Sequence, residues 1–174
     1  MGDRCYLELR LRGRIETVEA FEKIVALFEE NNWQVAEYDA AGRTLEMTES
    51  LVVGDANGEA PTFYLNECNY ADIGEEEAEL QEIGIAYEVS HEEGGDYGAG
   101  AWSWSSARGK VEAGRIKNQG ASVSIAALEA ALKQPDPLAA VKAIVDAGNA
   151  AEGTDLPGYS LSDEVKAWLA KEGN

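Results

Sequence analysis

The chain has little histidine, little cysteine and few bases, and it lacks any long apolar run. No apolar stretch approaches the roughly 18–20 residues that a membrane-spanning helix needs, so a helical membrane protein is not expected. The N-terminus passes from Met1-Gly2-Asp3-Arg4 straight into an alternating pattern, without the apolar core of a secretory signal, and the expected compartment is the cytoplasm of a host cell. Cys5 and Cys68 are too few for a disulfide framework and lack metal-ligand spacing. His91 is the single histidine, with no second histidine or cysteine cluster to make a metal site or a nucleophile–base pair. No zinc motif, nucleotide fingerprint or nucleophile motif is present. The expected cofactor is none, and the expected protein is not an enzyme.

The scarcest feature is positive charge. Against 33 Asp and Glu stand 14 Lys and Arg, a formal net charge of −19. The imbalance is confined to one part of the chain. Residues 1–100 hold 24 acids and six bases, whereas residues 101–174 hold nine acids and eight bases. Between Arg43 and Arg108 there are 15 acids and no base. A field of one sign repels nucleic acid and anionic membrane and attracts cationic surfaces. Direct contact with nucleic acid or membrane is thereby disfavoured, and the expected partner is a basic protein surface such as that of a nucleic-acid-binding complex.

What is present is an ordinary globular content of apolar residues, 45% of the chain, patterned in recognisable periods. Cys5, Leu7, Leu9 and Leu11 alternate with Tyr6, Glu8, Arg10 and Arg12, the period of a half-buried strand. Thr17 offers an N-cap to a helix with Val18, Phe21, Ile24 or Val25, and Phe28 on one side, ending near Asn31. Glu16 and Glu19 fall near its first turn, where the helix dipole favours them. Trp33–Tyr38 and Thr44–Leu51 read as two strands joined by a turn at Asp39–Gly42. After a loop at Gly54–Pro61, Phe63 and Leu65 mark another strand. Asp72 and Glu75 have capping-box spacing before a short helix carrying Ile73, Leu80 and Ile83 and stopped by Gly84. Ile85, Tyr87 and Val89 then alternate, and Ala101–Ser105 forms their hairpin partner. The expected fold class is α+β: a mostly antiparallel sheet from two β-α-β-β units, ferredoxin-like in the broad sense, with helices on one face.

One more strand is expected between Ala107 and Gln119, followed by alanine-rich helix. Ser124 caps Ile125–Lys133, Asp136 and Pro137 start the next helix with Leu138, Val141, Ile144 and Val145, and Ser162 starts the last with Val165, Trp168 and Leu169. This divides the chain into an acidic α+β domain, 1–120, and a helical C-terminal segment, 121–174. The C-terminal helices pack on the sheet or form a dimer contact, so monomer and homodimer are both open.

The candidate partner-binding residues are Glu19, Glu22, Glu29 and Glu30 on the first helix, Glu75, Glu76, Glu77, Glu79 and Glu82 on the second, and Glu92, Glu93 and Asp96 beyond it. Carboxylates at i, i+3 and i, i+4 lie about 5–6 Å apart and repel by a few tenths of a kcal/mol per pair, a cost that a functional surface would justify. Such rows approximate the separation of backbone phosphates and can compete for a nucleic-acid groove. A purely solubilising face is the plainer reading. The loop Gly94–Gly100 is glycine-rich, but it follows two glutamates, contains Asp96 and leads into a strand, unlike a phosphate cradle at a helix N-terminus. Trp102 and Trp104 share one strand face, as core residues or as an interface anchor.

The stretch Asn66-Glu67-Cys68-Asn69-Tyr70-Ala71-Asp72-Ile73-Gly74-Glu75, with Gly84-Ile85-Ala86-Tyr87-Glu88 and the Gly/Asp/Tyr loop after it, resembles a segment of small phage and plasmid proteins. In size and acidity the whole chain is similar to phage anti-CRISPR and anti-restriction inhibitors, several of which mimic nucleic acid. That likeness implies a non-enzymatic inhibitor from a mobile element, a DNA mimic that blocks the nucleic-acid site of a host defence complex. It carries no residue-by-residue correspondence. The competing expectation is a small structural or regulatory module that oligomerises through its C-terminal helices.

Overall fold

The computed structural model describes residues 4–93, 98–116 and 120–172. In chain order the elements are β1 (Arg4–Arg12), β2 (Arg14–Ile15), α1 (Val18–Glu30), β3 (Gln34–Val35), α2 (Met47–Asn57), β4 (Thr62–Asn69), α3 (Gly74–Ile83), β5 (Ala86–His91), β6 (Gly100–Ser105), β7 (Gly109–Ile116), β8 (Gly120–Ser122), α4 (Ile125–Leu132), α5 (Pro137–Ala151), β9 (Ser160–Leu161) and α6 (Asp163–Glu172). The protein is α+β. A seven-stranded sheet runs β3-β4-β1-β5-β6-β7-β8, with every neighbouring pair antiparallel, and β2 and β9 form a separate parallel pair.

The first four strands of that order, β3-β4-β1-β5, are the ferredoxin-like core. β4 inserts between β1 and β3, and β1 between β4 and β5, so α1 and α3 each cross over a strand. The remaining strands continue β5 as a meander. The expected period-two strand is present: Leu7, Leu9 and Leu11 are fully buried, and Leu9 pairs with Phe63 on one side and Val89 on the other. Against this face α1 lays Phe21, Ile24, Leu27 and Phe28, with Phe28 4.6 Å from Phe63 and 5.4 Å from Trp33 between ring centroids. Each such fully buried side chain contributes about 1.5–3 kcal/mol of transfer free energy.

Thr44–Leu51 is not the strand that its alternation predicted. Residues 47–57 form α2, and Tyr38 and Thr44 make only an isolated bridge. The buried residues are Met47, Ser50, Leu51 and Gly54, the i, i+3, i+4, i+7 pattern of a helix, hidden because two of the four positions are small. Glu49 accepts the backbone N–H of Glu46 at 2.9 Å and Arg43 binds the same carboxylate at 2.9 and 3.0 Å, which fixes the first turn. Gly58 closes it in the left-handed conformation. The first unit is therefore β-α-β followed by a helix.

Helices occupy both faces of the sheet: α1 and α3 cover one, and α5 packs on the other, one of the two placements expected for the C-terminal helices. Trp102 and Trp104 pair with Val89 and Tyr87 and face the core, so Ser103 between them faces the other way. Ser103 is completely buried there by α5, its hydroxyl donating to the carbonyl of Ala150. Arg108 donates to the same carbonyl at 3.1 Å and pairs with Asp155 at 3.2 Å, closing the C-terminus of α5 with a positive charge.

The division expected at residue 121 also differs from the packing. Tyr159, Leu161 and Val165 belong to the same core as the N-terminal strands, and Trp168 meets Phe21 edge-on at 5.9 Å. Leu161 N–H donates to Asp55 of α2 at 2.8 Å, and Glu164 accepts the first N–H of α1 at 3.3 Å. The chain returns after α5 to complete the first domain. The expected caps hold: Thr17, Ser124, Asp136 and Ser162 each accept a backbone N–H three residues on, at 3.0–3.2 Å.

Candidate acidic interface

The apolar faces of α1 and α3 sit on the sheet, so their outer faces are set by helical spacing. On α1 the outward positions carry Glu19, Glu22, Glu29 and Glu30, all exposed. On α3 the outward positions are Glu75, Glu79 and Glu82, at i, i+4 and i+7, also exposed. The two helices are neighbours, and Lys23 of α1 binds Glu19 at 2.9 Å while lying within the field of Glu79 and Glu82. Seven outward carboxylates thus share two adjacent helices with one lysine. The Lys23 hydrogen bond holds the Glu19 carboxyl below its ordinary range, and Glu19 in turn raises Lys23.

Glu76 and Glu77, expected in the same surface, point inward. Glu76 is buried and accepts the indole N–H of Trp33 at 3.4 Å. Glu77 accepts the Trp102 indole N–H at 2.7 Å, the Tyr87 hydroxyl at 2.8 Å and the Lys110 ammonium at 2.9 Å. Lys110 also stands 4.6 Å above the Trp102 ring. The signal was in the sequence: Glu76 and Glu77 occupy positions i+3 and i+4 of the stripe that runs from Ile73 to Leu80, where apolar residues would ordinarily sit. Asp72 does not make the expected capping box; α3 begins at Gly74, whose N–H donates to the Asp72 carboxylate at 3.1 Å.

Glu92 belongs to a different region. Its N–H donates to the Tyr6 carbonyl near the start of β1, and its charge acts on the Tyr6 hydroxyl, which lies on the sheet face away from α1 and α3. Glu93 follows it and is exposed. Asp96 lies outside the described residues, as do 94–97 of the glycine-rich loop. His91 ends β5 on the core face, packed 5.7 Å from Trp102 and over Gly100, with Nδ1 2.9 Å from the Glu92 carbonyl.

An open cleft of about 860 Å³ lies beside this cluster, lined by Asp72, Glu77, His91, Trp102, Lys110 and Glu112 among others. Three of its charged groups are engaged with one another: Lys110 bridges Glu77 and Glu112 at 2.9 and 3.2 Å. Among the described residues no group of three or more His, Cys, Asp or Glu is arranged to hold a metal ion, and no helix is long and apolar enough to cross a membrane. Cys5 and Cys68 face one another across β1 and β4, both free and buried. No family model, curated protein or solved structure matches the chain.

Proposed function

We propose that the outer faces of α1 and α3 bind a basic protein surface, and that this partner is the nucleic-acid-binding site of a host defence complex. The protein is then a non-enzymatic inhibitor of anti-CRISPR or anti-restriction type, carried by a mobile element and acting in the host cytoplasm. The observation that carries the reading is the outward row Glu19, Glu22, Glu29, Glu30, Glu75, Glu79 and Glu82 with Lys23 as its single cation. Carboxylates so placed keep their mutual repulsion in the free protein and relieve it on meeting Lys and Arg. They substitute for phosphates in a groove built for nucleic acid, and the long-range field steers the encounter.

The test is capture by tagged protein from a bacterial lysate that contains CRISPR and restriction complexes, at low and high salt, with DNA or RNA as competitor. A nucleic-acid-binding complex retained at low salt, released by salt and displaced by its own nucleic acid supports the reading. Retention that ignores both salt and competitor opposes it.

A further inference from the structure

The α4–α5 hairpin presents an apolar surface that no other described residue covers. Seven of the eight residues of α4 (Ile-Ala-Ala-Leu-Glu-Ala-Ala-Leu) are apolar, yet only Ala131 is buried. On α5 only Ala151 is buried. Ile125 is 76% exposed, Leu132 62%, Leu138 80% and Val145 54%. Ile125 and Leu132 are seven residues apart, as are Leu138 and Val145, so each pair forms one stripe along its helix. A groove of about 370 Å³ runs beside the second stripe, floored by Ala113, Ala121, Ala147 and Gly148 and walled by Val123 and Val145. A helix apolar on every side is ordinarily a covered one, and contiguous exposed aliphatic surface marks an interface.

Charge selects the occupant. Residues 121–151 contain Glu129, Asp136 and Asp146 against Lys133 and Lys142, which is −1 on a chain of −19. Both signs are present, so a face meeting itself can pair lysine with carboxylate. The hairpin packs on the sheet face opposite α1 and α3, and a two-fold contact through it keeps the two acidic surfaces outermost and apart. A basic partner would be drawn to the acidic helices instead. Projecting stripe and small-residue groove lie side by side, the arrangement an isologous contact requires.

We propose that the α4–α5 face is a homodimer interface, occupied by the same face of a second copy. Because the contact is apolar between like-charged protomers, salt strengthens it by screening the net repulsion, the reverse of what the acidic surface does with a basic partner.

Sedimentation equilibrium of the full chain at low and high salt tests this, together with Leu138→Glu and Ile125→Glu variants. The expected result is twice the chain mass of 18.7 kDa, with a dissociation constant that falls as salt rises, and a halved mass in both variants. Circular dichroism melts checks that the variants remain folded, which their exposure favours. A wild-type mass of 18.7 kDa at high micromolar concentration and high salt overturns the proposal. A dimer that survives both substitutions, or an assembly larger than two, does so equally.

Discussion

The indole N–H of Trp102 donates to Glu77 Oε1 at 2.7 Å, which ties the core of the sheet to a helix that otherwise reads as a solvated run of acid. The same oxygen accepts the Tyr87 hydroxyl at 2.8 Å, and the other oxygen meets Lys110. Removing the carboxylate strands a buried indole N–H. Glu77→Ala is expected to lower stability by about 3 kcal/mol in urea unfolding, while Glu79→Ala changes it by less than about 0.5 kcal/mol. Equal effects of the two substitutions would contradict the division of α3 into structural and outward carboxylates.

Gly54 lets the loop after α2 fold back on the helix. A Cβ there would stand 2.9 Å from the Glu59 carbonyl oxygen and 3.1 Å from Pro61 Cδ, against backbone and ring that cannot swing aside. Gly54→Ala is expected to destabilise by about 1–3 kcal/mol, although alanine is the better helix former. A thermal shift upward would show instead that propensity dominates and that the loop relaxes.

Leu161, at 3% exposure, pairs beside Ile15 and fills the core from the far end of the chain. Leu161→Ala is expected to cost about 2–5 kcal/mol. The accompanying prediction concerns cooperativity: removal of residues 159–174 unfolds the N-terminal sheet as well. Amide exchange that leaves β1, β4 and β5 protected in the truncated chain would refute the shared core.

Burial raises one thiol and two phenols inside this core. The Cys68 thiol is pushed up to about 11, and the Tyr87 and Tyr159 hydroxyls are pushed well above their ordinary values, in each case chiefly by loss of water. Below the unfolded values both states are protonated and the contribution to stability is fully present. Above about pH 9 the unfolded chain ionises first, and stability is lost as pH climbs toward the folded values. The urea midpoint is expected to fall between pH 9 and 11. The Tyr159 hydroxyl is buried with no hydrogen-bond partner among the described residues, so Tyr159→Phe is expected to gain about 1 kcal/mol at pH 7 and to flatten the alkaline fall. An unchanged slope in that variant would remove Tyr159 from the account.

Most of the core was readable because its residues obey one period at a time. The alternation of Cys5–Leu11, the stripe Phe21–Phe28 and the caps Thr17, Ser124 and Ser162 each report local geometry. Thr44–Leu51 misled because a short segment fits both periods, and the deciding positions, Ser50 and Gly54, are small. The return of β9 and α6 to the first domain rests on contacts between residues far apart in sequence, such as Asp55 with Leu161, which no local pattern encodes. The acidic surface was legible as composition, whereas its division into outward and inward carboxylates needed the stripe to be followed through Glu76 and Glu77.

The most direct test of the central claim compares wild type with a Glu19→Lys, Glu22→Lys, Glu79→Lys, Glu82→Lys variant for binding to the captured nucleic-acid-binding complex. All four positions are exposed and away from the core, so the melting curve should remain close to that of wild type. Affinity is expected to fall by about a hundredfold or more, and the residual binding to lose most of its salt dependence. A folded variant that binds as wild type does, with the same response to salt, would contradict the claim.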